Sequence, residues 1–147
     1  LLLQLTTDNW QRTKEELTMT DDELIELARQ ARERAYAPYS KFKVGAALLA
    51  DDGRVFTGCN VENASYGLTI CAERAAVFNA VSEGVRRFVK IAVVTDVDDP
   101  VSPCGACRQV LWEFTSDLVI IMANLNGKQH TRLISHLLPD PFDKSSL

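Results

Sequence analysis

The stretch Phe42-Lys43-Val44-Gly45-Ala46-Ala47-Leu48-Leu49-Ala50-Asp51-Asp52-Gly53-Arg54-Val55-Phe56-Thr57-Gly58-Cys59 decides the fold. Phe42, Val44, Ala46 and Leu48 fall at every second position, the period of an extended chain with one face on a core. Asp51-Asp52-Gly53 supplies turn chemistry, and Arg54–Cys59 resumes in extended form, so the segment reads as a β-hairpin. N-terminal to it, Thr20 and Glu23 make a capping-box pattern, after which Leu24, Leu27, Ala28, Ala31 and Ala35 recur at helical spacing until Pro38. C-terminal to it, a loop over 60–70 precedes a helix from Cys71 that carries Ala75, Ala76, Phe78 and Val81 and stops at Gly84. Val89–Thr95 reads as a buried strand, a second helix starts near Cys104 and runs through Val110, Leu111 and Phe114, and Leu118–Ala123 forms another strand. Asn126-Gly127 signals a tight turn, and Ile134–Leu138 a short last helix before Pro139. A hairpin leading into alternating helices and strands predicts an α/β fold, a mixed sheet with helices on both faces.

Neither a repeat nor a linker interrupts this pattern, so residues 19–147 are expected to form a single domain. Residues 1–18 lack clean periodicity and read as an N-terminal extension, helical in part around Trp10–Leu17. A length of 147 residues, with 46% hydrophobic and 24% charged, is enough to bury a core without disulfides and far from a disordered composition. The formal charge is -4, from 16 basic and 20 acidic residues, which offers no basic stripe to a polynucleotide. The longest apolar runs, Val44–Ala50 and Leu118–Ala123, have strand length, well short of the roughly 20 residues that span a bilayer. Leu1–Leu5 is apolar but lacks a basic flank and the length of a signal core, so a cytoplasmic location is expected.

Two short motifs hold the chemistry. Cys71-Ala72-Glu73 opens one expected helix, and Pro103-Cys104-Gly105-Ala106-Cys107 opens another. A helix N-terminus presents unpaired N–H groups and partial positive charge, which stabilise a thiolate placed there. Three thiolates give zinc three of its four tetrahedral ligands and leave a position for water, the arrangement of catalytic rather than structural sites. Other readings of the cysteines stay open. Cys59, 12 positions before Cys71, can complete a closed four-cysteine site, although it has neither a C-x-x-C partner nor a helix start, and a small buried hydrophobe is its simpler role. Two disulfides are a further reading, set against the expected reducing compartment. A redox pair at Cys104 and Cys107 is another, but it leaves Cys71-Ala72-Glu73 unexplained. His130 and His136 lie outside both motifs and read as surface or interface residues.

These motifs, together with Tyr39-Ser40-Lys41-Phe42-Lys43-Val44-Gly45-Ala46-Ala47, Asn60-Val61-Glu62-Asn63-Ala64-Ser65-Tyr66, Cys71-Ala72-Glu73-Arg74 and Pro103-Cys104-Gly105-Ala106-Cys107-Arg108-Gln109, resemble the cytidine deaminase family in its small, homotetrameric, three-cysteine zinc form, over roughly residues 21–142. The resemblance implies a three-layer α/β/α fold with a mixed five-stranded sheet, and hydrolysis of cytidine and deoxycytidine to uridine, deoxyuridine and ammonia. It implies zinc on Cys71, Cys104 and Cys107, with Glu73 as the proton carrier. Zinc brings the pKa of water it binds from about 15.7 to near 7, and general acid–base help is typically worth about 10²- to 10⁴-fold. Alone, Glu73 also fits an acidic residue of a helix's first turn. Arg74 is implied as a donor to the ligand sulfurs, offsetting the negative charge of three thiolates; a surface ion pair is its competing role.

By the same resemblance, Asn60 and Glu62 meet the ribose hydroxyls, Phe42 packs on the base, and the Ala72 backbone contacts the pyrimidine. A carboxylate at position 62 suits a sugar hydroxyl but repels a 3′-phosphate, which argues for a free nucleoside over a nucleic-acid polymer. Tyr66 and Phe142 are implied to complete neighbouring active sites across the subunit interfaces of a homotetramer. Two features depart from the family pattern: the N-terminal extension, and Asp143-Lys144 following Phe142 where Gly-Pro is usual. The alternatives are deamination of another aminated heterocycle, which Asn60 with Glu62 disfavours, and a non-catalytic zinc-binding domain, which needs Cys59 as a fourth ligand.

Overall fold

The computed structural model describes residues 19–147. The proposed extension, including the helical reading of Trp10–Leu17, lies outside them. Helix α1, Asp21–Arg32, starts at a complete capping box: Glu23 N donates to Thr20 Oγ1 (3.2 Å) while Thr20 N donates to Glu23 Oε2 (2.9 Å). Strands β1 (Val44–Ala50) and β2 (Val55–Cys59) form the expected hairpin, joined through Gly53 at φ 88°. Helix α2 covers Ala72–Ser82 and ends before Gly84 at φ 82°. Strand β3 (Phe88–Thr95) leads through a loop to α3 (Gly105–Phe114), then β4 (Val119–Asn124), β5 (Gln129–Leu133) and the one-turn α4 (Ile134–Leu137).

The sheet order is β2-β1-β3-β4-β5. Only β3 and β4 run parallel, with α3 as their crossover, and the other neighbours are antiparallel. Alternation along the strands separates two cores. Ala47, Leu49, Ala92, Val94, Ile121 and Ala123 face α1 through Leu24 and Ala28. Ala46, Leu48, Ile91, Val93, Ile120 and Met122 face the other way, onto Ala76, Val77, Leu111 and Ile134 of the remaining helices. This is the three-layer α/β/α arrangement. Burial on both faces explains why β1 reads as Gly-Ala-Ala-Leu-Leu-Ala after Val44 rather than as a strict apolar–polar alternation.

Two glycines let helices approach the hairpin closely. A Cβ on Gly45 would stand 2.0 Å from Ala28 O of α1, and one on Gly58 would stand 2.4 Å from both Ala72 O and Ala76 N of α2.

The chain departs from the sequence expectations in three places. Helix α1 ends at Arg32, not at Pro38, because Tyr36 leaves the helix to pair with the 60–62 segment: Tyr36 N donates to Asn60 O (3.0 Å) and Glu62 N to Tyr36 O (2.8 Å). Phe78 lies on the exposed side of α2, whose core positions are Ala72, Ala76, Val77 and Ala80. Strand β5 had no apolar signature, since Gln129-His130-Thr131-Arg132-Leu133 forms an edge that is largely solvent-facing.

Candidate active site

The parallel pair β3 and β4 fixes where a ligand can sit, because crevices in α/β sheets open beyond the carboxyl ends of such strands. Thr95 ends β3, and it pairs with Val44 at the start of β1, whose next residue, Gly45, pairs with Cys59 at the end of β2. At this end of the sheet a cavity of about 270 Å³ is lined by residues that include Phe42, Asn60, Glu62, Cys71, Ala72, Glu73 and Cys104. Five of these seven, Phe42, Asn60, Glu62, Cys71 and Cys104, come from segments that enter or leave strands and helices, and Ala72 and Glu73 open α2.

Cys71 and Cys104 are the N-caps of α2 and α3, and neither helix has a side-chain cap bond. Cys107 follows one turn into α3 and is buried. The three sulfurs lie within 4.8 Å of one another, with Cys71 Sγ and Cys104 Sγ 3.8 Å apart. Tetrahedral zinc with Zn–S near 2.3 Å requires sulfurs about 3.8 Å apart, so this donor set fits the ion. Cys59 is not part of the cluster, and all four cysteines are free. The closed four-cysteine site and the paired disulfides are therefore absent among the described residues.

Charge and hydrogen bonding around Cys71 suit a thiolate there. Arg74 Nη2 donates to Cys71 Sγ at 3.3 Å. Hydrogen bonding from the Cys107 thiol, then from Arg74 and Cys104, brings the Cys71 thiol down to about 5. Its proton-sharing neighbour Cys107 is pushed up, by that bond to Cys71 and by burial. The bond to Cys71 likewise holds the Arg74 guanidinium above its usual value. Glu73 is 5% exposed, and its Oε2 accepts from Cys107 Sγ at 3.7 Å. Burial first, and the charge of Cys71 after it, raises its carboxyl above the ordinary carboxylate range.

Asn60 and Glu62 do more in this chain than line the cavity. Asn60 Nδ2 donates to Phe42 O (2.7 Å) and its Oδ1 accepts from Val44 N (2.9 Å). Glu62 Oε1 accepts from Tyr39 N (2.9 Å) and Ser40 N (3.1 Å), and hydrogen bonding from Ser40 holds its carboxyl below the usual range. Both side chains thus brace the Tyr39–Val44 segment, where Lys41 adopts φ 60° and Phe42 is turned to the cavity, 40% exposed. Tyr66 and Phe142 are 75% and 64% exposed and line no wall of this cavity. Tyr66 meets Tyr39 edge-on at 5.9 Å between ring centroids.

The sequence reading missed the buried Thr95, whose hydroxyl has no hydrogen-bond partner among the described residues, and Val93, Val101 and Ser102 on the cavity wall. It also missed Arg108, whose guanidinium donates to Pro103 O, Leu137 O and Ser102 Oγ. Only its place directly after Cys107 marked it out.

The family described as "Cytidine and deoxycytidylate deaminase zinc-binding region" matches residues 18–123. The chain belongs to this family. Its cofactor is zinc, in keeping with the three convergent cysteines. A cytidine deaminase of Sporosarcina psychrophila is 52% identical over 130 residues, covering 88% of this chain and 96% of the relative. One of Halalkalibacterium halodurans is 58% identical over 120 residues, covering 81% and 91%. Among family structures, the crystal structure of cytidine deaminase from Burkholderia pseudomallei superposes with a TM-score of 0.83 at 54% identity, over 84% of this chain and 100% of that one.

Proposed function

We propose that this chain is a zinc-dependent hydrolase that converts cytidine and deoxycytidine to uridine and deoxyuridine with release of ammonia, a reading supported by relatives named cytidine deaminase. The observation that carries this reading is a buried carboxylate, Glu73, beside three convergent sulfurs in one small-molecule cavity. Cys71, Cys104 and Cys107 hold the ion. Zinc bound there supplies Lewis acidity and hydroxide at neutral pH. Glu73 takes one proton from the attacking water and delivers it to N3 of the cytosine. It then takes the remaining proton of the hydroxyl added at C4 and passes it to the amine, so that the C4–N bond breaks, ammonia leaves and the C4 carbonyl forms; burial that raises its carboxyl suits such a shuttle. Arg74 and the two helix N-termini offset the net negative charge that three thiolates leave on a divalent ion.

Phe42 packs on the base, and the Ala72 backbone contacts the pyrimidine. Asn60 spends one N–H and one lone pair on the backbone and keeps a second of each, while Glu62 keeps one carboxylate oxygen, enough to meet ribose hydroxyls. The negative charge at Glu62 opposes a 3′-phosphate, so the substrate is a free nucleoside rather than a nucleic-acid polymer. Tyr66 and Phe142, exposed in one copy, complete neighbouring sites in a homotetramer. Residues 19–147 act as one catalytic domain, in the cytoplasm, where four free cysteines are at home.

Ammonia release from cytidine by the zinc-loaded protein tests the reading, with Glu73→Gln as the control. Turnover is expected to fall at least 10²-fold in the variant while zinc content stays unchanged. Wild-type turnover in Glu73→Gln would overturn the assignment.

A further inference from the structure

We propose that Arg108 is a positioning residue for the metal: it locks the Cys104 ligand in place by tying the start of α3 to the end of α4. The inference rests on the reading of Cys104 as a zinc ligand. Of the three cysteines Cys104 is the exposed one, so packing does least to hold it. It also ends a loop, 96–103, that has no regular structure, and it caps α3 without a side-chain bond of its own.

Arg108 grips this residue from both sides. Its backbone N–H donates to Cys104 O at 3.0 Å, the first bond of the helix, and its Nε donates to Pro103 O at 2.8 Å, across the peptide that leads into Cys104. Nη2 donates to Ser102 Oγ at 2.7 Å, one residue further back, where the chain lines the cavity. Rotation of the 103–104 peptide, which leads directly into Cys104, breaks the contact from Nε to Pro103 O. Nη1 donates to Leu137 O at 2.7 Å, at the C-terminal end of α4, where carbonyls lack helical partners. That bond fixes the guanidinium against a second element, so the fork is held rather than free to follow the loop. The planar fork is required, because a lysine ammonium, a point donor on a flexible stem, cannot span acceptors on opposite sides.

Gln109, the next residue, supplies the control. Its Nε2 donates to Phe142 O at 2.7 Å, so its side-chain hydrogen bond goes to the C-terminal tail and not to the 102–104 loop. The experiment loads each purified protein with zinc and follows transfer of the metal to a chromogenic chelator, with thermal unfolding recorded in parallel. Arg108→Ala is expected to release zinc at least about tenfold faster than wild type, the scale on which supporting residues tune metal sites. Arg108→Lys should fall between the two, and Gln109→Ala should match wild type even if its melting temperature drops. A wild-type release rate in Arg108→Ala, or equal acceleration in Gln109→Ala, would overturn the proposal, since either means a general structural role. Should Arg108→Ala fail to fold, Arg108→Lys decides, and release at the wild-type rate counts against it. Full zinc retention in Cys104→Ser is the separate result that would remove the ligand reading itself.

Discussion

Helix α1 and helices α2 and α3 begin in opposite ways. At α1, Thr20 and Glu23 satisfy each other's backbone donors, and Asp21 and Asp22 add negative charge to the first turn. At α2 and α3 the cap is a cysteine that bonds no backbone N–H of its helix, and the two N-termini point their partial positive charge at a shared cluster of sulfurs. A good cap is worth about 1 kcal/mol, so the two uncapped starts give up stability that α1 keeps. What they gain is a field that favours thiolate, on the face of the sheet that carries Glu73. One side of the molecule spends helix-end electrostatics on folding and the other spends it on chemistry.

Removing the metal should produce the largest effect. Dialysis against a strong chelator is expected to abolish deamination, with recovery on adding zinc, while the far-ultraviolet circular dichroism stays native. Both apolar cores close without the sulfurs, through Leu24 and Ala28 on one face and Val77, Leu111 and Ile120 on the other. Unfolding on chelation would mean that the cysteine-capped helices depend on zinc for structure, and the division between the two faces would fail.

Next in size are the two close approaches of helix to hairpin. Gly45→Ala drives a Cβ into Ala28 O of α1, and Gly58→Ala drives one into Ala72 O and Ala76 N of α2. Each should cost about 3 kcal/mol or more, because the obstructing atoms are backbone. The difference lies in the metal. Displacement of α2 moves Cys71 and Glu73 with it, so Gly58→Ala should also weaken zinc retention, whereas Gly45→Ala should not. Equal zinc contents in the two folded variants would show that α2 shifts without carrying its cap residue along.

Arg74→Ala comes third, removing the donor to Cys71 Sγ. Activity or zinc affinity should drop about tenfold, and unchanged values of both would leave the helix N-termini as the sole charge compensation.

What the sequence made legible was local. The capping box, the hairpin turn and the cysteines at helix starts are patterns of a few adjacent residues, and each stands where its spacing placed it. What it hid was long-range. Helical spacing predicts Pro38 as the stop for α1, but the helix yields at Arg32 because residues 36 and 60–62, far apart in the chain, pair with each other. Asn60 and Glu62 carry backbone duties at Phe42, Val44, Tyr39 and Ser40 that no motif announces. The polar edge strand β5 had no apolar period to reveal it, and the three acceptors of Arg108 converge only once α3 and α4 have packed.

The smallest expected effect is at the ordinary cap. Thr20→Ala removes the oxygen that accepts from Glu23 N, while the backbone N–H of residue 20 still donates to the Glu23 carboxylate. The loss should be about 1 kcal/mol, read as a melting temperature lower by roughly 3–5 °C for a chain of this size. Turnover and zinc content should not move, because α1 packs on the sheet face opposite α2 and α3 and contributes nothing to the cavity wall. A fall in kcat at full zinc occupancy would mean that strain at the start of α1 crosses the sheet, through Gly45 and β1, to Phe42 and Val44 at the cavity. In that case the stability of one face and the chemistry of the other would be a single property of the hairpin between them.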